Sequence, residues 1–124
     1  MFQDFLAWRI KNGVDLITDT FTSSEVAIAL KVQEIYPHNF HKVDKEGLPI
    51  YIERMGMIEI DRLFELTTEE NVYREFIHNT ELSIKLRFPV CSELYDKKVE
   101  TDFAILDLQG LGMKHFNKRT KNMI

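Results

Sequence analysis

His38, His41 and Asp44 stand three residues apart, a spacing that on a helix would turn two imidazoles and a carboxylate to one side and offer three ligands to a metal ion. Pro37 precedes them and a turn follows, so no helix is expected there. With no cysteine cluster and no glutamate on a regular HExxH frame, no metal site is predicted. Cys91 could act as a nucleophile, but its nearest basic neighbours are Lys97 and Lys98 and nothing marks a low thiol pKa; it reads as a core residue. Asp107 lies at the carboxyl end of an apolar run, where α/β proteins bind ligands, yet it has no acid or base partner, and a cap or backbone bond is its expected work. Gly110 and Gly112 belong to no GxGxxG and precede no Lys-Ser/Thr pair, which argues against a nucleotide loop. No catalytic residue and no cofactor are predicted, and the chain reads as non-enzymatic. The aromatic residues are more suggestive. Phe40, Tyr51, Tyr73, Phe76, Phe88 and Phe103 fall on elements expected to face one another, and a tyrosine, with its apolar body and polar tip, suits a pocket for an acyl chain and a headgroup. A packed core would show the same stripe.

Positioning these side chains takes helices and strands in a particular order. Phe2, Phe5, Leu6 and Ile10 recur at helical spacing until Asn12-Gly13 closes the run. A second helix opens at Ser23-Ser24-Glu25 and ends at Pro37, and a turn region follows. Asp44-Lys45-Glu46-Gly47 carries turn chemistry ahead of a strand that starts at Pro49 and stops at Gly56. Residues 60–66 form one or two helical turns. Thr67 and Glu70 then offer a capping box to the longest periodic segment, whose stripe runs through Val72, Tyr73, Phe76, Ile77, Thr80, Ile84 and Phe88. Glu70/Arg74 and Glu81/Lys85 are expected i,i+4 pairs on this helix. Pro89 should kink it or end it near Phe88, with a short continuation through Leu94. Residues 103–108, almost continuously apolar, predict a strand buried on both faces. Two strands separated by a long helix predict a right-handed βαβ crossover, hence an α/β fold with the two strands parallel. A two-stranded sheet cannot close a core, so a larger fold cut short is expected, with the basic tail from Lys114 to Ile124 leading nowhere.

Composition sets the surrounding limits. The 124 residues, 44% hydrophobic and 29% charged, afford one core, with no repeat, linker or domain boundary in view. A net charge of -4 and no basic block argue against a nucleic-acid partner. A single cysteine, with neither a signal-peptide pattern nor a membrane-span pattern, predicts a reducing, cytoplasmic setting.

The words YP, HK-x-DK-x-G-x-P-x-Y, T-x-EE, R-x-P-x-CS and DL-x-G follow one another between Tyr36 and Gly110. In that order and spacing they resemble the first half of a CRAL-TRIO lipid-binding domain. The resemblance implies a partial CRAL-TRIO fold, with parallel strands joined by a long crossover helix and preceded by short N-terminal helices. Residues 1–35 would be the end of the helical segment before the lipid-binding domain, and residues 36–124 its truncated N-terminal half. It implies non-catalytic binding or transfer of a phosphatidylinositol-type phospholipid, held in an apolar cavity, by a cytoplasmic protein in transient contact with Golgi or other endomembranes. The alternative is a reduced regulatory relative that binds a protein partner. The family's inositol-contacting aspartate falls on Asp44, its choline-caging tyrosines on Phe40, Tyr51 and Thr80, and its phosphate-binding Ser and Thr on Asp102 and Ala104. The lipid-binding residues expected on this basis are Asp44, Tyr51 and Phe40.

Overall fold

A computed structural model describes residues 1–118, 120 and 121. Arg119 and residues 122–124 of the basic tail lie outside the described residues. Helix α1 (Phe2–Lys11) ends where the Asn12 side chain donates to the Trp8 carbonyl at 2.8 Å and Gly13 takes φ 59°. A 3₁₀ turn (Val14–Leu16) and the single-turn helix α2 (Ile17–Thr20) lead into α3 (Ser23–Ile35). Helix α3 opens at Ser23 as expected, and the oxygen that caps it comes from Thr22, which accepts from the Glu25 amide at 3.1 Å.

Strand β1 (His38–Val43) occupies what the sequence reads as a turn region. Its residues HNFHKV carry no apolar alternation; antiparallel pairing with β2 (Pro49–Arg54) makes it a strand. The register slips between Phe40 and Val43, where Lys42 has φ 60°, a bulge that leaves Phe40 opposite Tyr51. In the connecting turn, Asp44 Oδ1 accepts from the amides of Glu46 at 2.8 Å and Leu48 at 2.9 Å, while Gly47 takes φ 89° with its Cα against the Tyr95 ring.

Helix α4 (Ile60–Leu66) and helix α5 (Glu69–Leu82) are separated by two threonines only. Thr67 closes α4, its amide donating to Leu63 at 2.9 Å, and Thr68 opens α5, its hydroxyl accepting from Asn71 at 3.2 Å. The cap is thus Thr68, not Thr67, whose buried hydroxyl has no partner among the described residues. A π turn (Ser83–Arg87) then joins α5 to α6 (Phe88–Tyr95). Pro89 neither ends the helix nor breaks it. In an α-helix its ring would meet the Lys85 carbonyl and its missing N–H would orphan that group; the wider turn just before it displaces both problems.

Strand β3 (Phe103–Asp107) lies parallel to β2, so β2, the α4–α6 connection and β3 make the expected crossover, in a three-stranded sheet of order β1-β2-β3. The expected burial of β3 on both faces does not hold. Phe103 is 52% and Leu106 53% exposed although they point to opposite faces, because β3 is the sheet edge and no described element covers it. The core instead sits among the helices, where Val32, Ile35, Tyr36, Ile58, Ile60, Leu63 and Val72 cluster, with Val14, Ile17 and Ile77 as a second group. Burying Leu63 completely contributes about 2 to 3 kcal/mol.

The charges on α5 and on the π turn that follows it also look outward from their own segment. Arg74 Nε binds Glu25 at 2.8 Å, Glu81 accepts from Arg9 at 3.2 and 3.3 Å, and Lys85 donates to the Asp15 carbonyl and the Thr18 hydroxyl. These replace the expected i,i+4 pairs. The α5 face carrying them meets the N-terminal helices, where Glu81 is only 4% exposed and Arg9 supplies a fixed cation.

Candidate functional site

Between the sheet and the long helix opens a groove of about 500 Å³. Strand β1 contributes His38 and Phe40, which alternate onto one face, and β2 contributes Tyr51 and Glu53 on that same face. From the other side come Phe76, Asn79 and Thr80 of α5, Ser83 and Ile84 of the π turn, and Phe88 of α6, while Glu100 and Asp102 rim the approach to β3. The volume falls in the range of about 300 to 1,000 Å³ usual for small-molecule sites.

The apolar wall is an aromatic series. Phe40 and Tyr51 have ring centroids 5.3 Å apart, His38 and Phe76 likewise 5.3 Å, and Tyr36 meets Phe76 edge-on at 6.1 Å. The Arg87 guanidinium lies 4.0 Å from the centroid of the Phe40 ring. Below these rings runs a polar network. The Tyr36 and Tyr51 hydroxyls both donate to Glu53, one to each carboxylate oxygen, the second at 3.2 Å. Burial first, and then the Glu53 bond and charge, push both phenols well above their ordinary pKa, so both keep their protons.

His38 is 3% exposed and bonded at both nitrogens. Nδ1 lies 2.7 Å from the Tyr36 carbonyl, which can only accept, so that nitrogen carries a proton; Nε2 lies 3.2 Å from Glu75 Oε1. Burial alone would lower the imidazole pKa, but the hydrogen bond and charge of Glu75, with the Tyr36 carbonyl and Glu53, outweigh it and raise the pKa. The arrangement is a buried imidazolium–carboxylate pair that ties β1 to α5.

The residues singled out in the sequence divide cleanly. Phe40, Tyr51, Phe76 and Phe88 converge on the groove together with Thr80 and Asp102. Asp44 lies in the β1–β2 turn, where Oδ1 holds two backbone amides, and does not line the groove. Tyr73 and Phe103 are about half exposed and do not line it. His38 and His41 part company, His38 turning inward to Glu75 while His41 is exposed beside the bulge. Cys91 is buried and free. Asp107 accepts from the Gln109 amide at 3.0 Å and pairs with Arg54, the backbone-bond role expected of it; those two contacts hold its pKa below the usual range. Gly110, at φ 85°, abuts the Gly56 carbonyl. Glu53, Glu75, Asn79 and Arg87 were missed. Glu53 had a signal, since it follows Tyr51 by two on a strand; Glu75 had none, being 37 residues from the histidine it binds.

The fold and groove define a class: an α/β module whose cavity takes aromatic rings from both sheet and helices and sets hydrogen-bonding groups among them. No family model matches the chain. Over 122 residues it is 40% identical to the phosphatidylinositol/phosphatidylcholine transfer protein SFH11 of Arabidopsis thaliana, covering 98% of this chain and 32% of that protein. It is 38% identical over 124 residues to SFH7, another such transfer protein of that plant, covering 100% and 22%, and 36% identical over 113 residues to the SEC14 cytosolic factor of Eremothecium gossypii, covering 91% and 36%. Along its whole length the chain is therefore similar to part of the Sec14-like transfer proteins, as a partial CRAL-TRIO domain would be. It spans about a third or less of the length of these relatives.

Proposed function

We propose that this chain binds a phosphatidylinositol-type phospholipid and carries it between membranes without covalent chemistry. The observation that carries the reading is the groove itself, in which Phe40, Tyr51, Phe76 and Phe88 meet Asn79, Thr80 and Ser83 in a chain similar along its whole length to phosphatidylinositol/phosphatidylcholine transfer proteins. Aromatic and aliphatic surface shields acyl methylenes, each worth about 0.8 kcal/mol when buried, and the hydroxyl and amide groups hold the head. Among the described residues no helix is long and apolar enough to cross a membrane, and the proposed carrier is a cytoplasmic protein that visits endomembranes, the Golgi among them, from water.

Native mass spectrometry of the purified chain after exposure to a lipid extract tests this. Bound phosphatidylinositol is expected, together with transfer of labelled phosphatidylinositol between vesicles, both reduced at least about tenfold by Phe40→Ala or Tyr51→Ala, since a buried aromatic carries about 1.5 to 3 kcal/mol. A folded monomer free of phospholipid, inactive in transfer, overturns the proposal.

A further inference from the structure

Of the five arginines among the described residues, four hold a carboxylate. Arg9 binds Asp15 and Glu81, Arg54 binds Asp107, Arg62 binds Glu59, and Arg74 binds Glu25. Arg87 has no such partner among the described residues. Its Nη1 donates to two neutral acceptors, the Asn79 carbonyl at 3.1 Å and the Ser83 hydroxyl at 3.0 Å, and its flat face rests on Phe40. Nε and Nη2, with three N–H groups between them, have no acceptor among the described residues. Burial lowers the Arg87 pKa and only the charge of Asp102 opposes it, yet a guanidinium remains protonated across the accessible pH range. Neither nitrogen is buried, so this half of the fork stands open to a ligand from solvent. Arg87 is also placed by the π turn, a device that is frequent at functional sites because it re-aims a side chain without ending the helix.

The groove's carboxylates do not explain this arginine. Glu53 is held by two tyrosines, Glu75 by His38 and Glu100 by Lys98. Asp102 acts on Arg87 through space only. We propose that Arg87 is the anion-binding group of the groove and that it recognises a phosphate ester, the shared chemistry of a phospholipid headgroup and a free sugar phosphate; this rests on the lipid-binding reading above. Phe40 and Ser83, which hold the guanidinium, both line the groove, and a planar fork matches a phosphate bidentately where a lysine ammonium would meet it as a point charge. Asp102 at the same rim then sets a repulsive limit on the affinity.

The test compares the parent chain with Arg87→Met, Arg87→Lys and Asp102→Asn. Each is titrated with phosphatidylinositol, with a diacylglycerol of the same chains, and with inositol phosphate alone. Arg87→Met is expected to weaken phosphatidylinositol about tenfold while leaving diacylglycerol unchanged, Arg87→Lys to fall between, and Asp102→Asn to strengthen phosphatidylinositol. If inositol phosphate binds the parent and not Arg87→Met, the phosphate is read without its chains; if it binds none of them, the recognised phosphate belongs to a lipid. Both patterns support the proposal. Equal loss of both lipids by Arg87→Met, or no loss of either, overturns it. Circular dichroism reports whether Arg87→Met keeps its helices. If it does not fold, unchanged phosphatidylinositol affinity in both Arg87→Lys and Asp102→Asn overturns the proposal instead. A parent chain that binds neither lipid refutes the carrier reading and this inference with it, whereas normal parent binding with no effect at Arg87 refutes this inference alone.

Discussion

Replacing His38 by leucine strands a charge. The His38 side chain is 1% and the Glu75 side chain 6% exposed, so removing the imidazolium leaves a carboxylate with no counter-ion and almost no water. Breaking a buried pair from one side costs about 3 to 5 kcal/mol, a large share of the roughly 5 to 15 kcal/mol of a whole domain. With a urea dependence of about 2 kcal/mol per molar, the unfolding midpoint should fall by about 2 M. Glu75→Gln should cost only about 1 kcal/mol, because a neutral imidazole can still donate from Nδ1 to Tyr36 and accept at Nε2 from the new amide. The double variant His38→Leu/Glu75→Met should recover most of the loss, since an apolar pair of similar volume needs no counter-ion. The pH dependence has a definite sign. The folded-state pKa of His38 is raised, so its stabilisation is complete below the ordinary imidazole value of about 6.5 and declines as pH rises through the higher folded value. The difference in midpoint between the parent and Glu75→Gln should therefore shrink as pH rises. Urea unfolding followed by far-ultraviolet circular dichroism measures all of these. A His38→Leu protein within about 1 kcal/mol of the parent, or a double variant as unstable as His38→Leu, refutes the charged pair.

Two further substitutions probe the frame around the groove. Arg9→Ala leaves the buried Glu81 unpaired and should cost about 2 to 3 kcal/mol, with faster amide exchange in α1 than in α3 as the local signature. Gly56→Ala would place a methyl 1.9 Å from the Gln109 carbonyl oxygen, a contact with backbone that cannot yield, and should cost about 4 kcal/mol or more by chemical unfolding.

What could be read in advance was what the chain specifies locally. The stop at Asn12-Gly13, the turn at Asp44 to Gly47 and the strand after Pro49 each carry their own cap or turn chemistry, and the structure keeps them. β1 was not legible, because HNFHKV becomes a strand only by pairing with β2 and by spending Lys42 in a bulge. The apolar run at β3 announced a strand but not its surroundings, since burial depends on what lies beside it. The aromatic half of the groove was visible as residue types, whereas its polar half, Glu53 under two tyrosines and Ser83 at its edge, depends on strand register and on the π turn. Proline chemistry foretells trouble near Phe88; how the helix absorbs it is decided by the packing of both segments.

The bond between Arg9 and Glu81 joins residues 72 positions apart. On a ribosome adding about 5 to 20 residues per second, roughly 4 to 14 s pass between the synthesis of the two. Throughout that interval α1, none of whose side chains is buried even in the finished fold, has Asp15 as its nearest anchor and presents Phe2, Phe5 and Ile10 to any passing chaperone. A helix made 72 residues ahead of its partner is among the last secured.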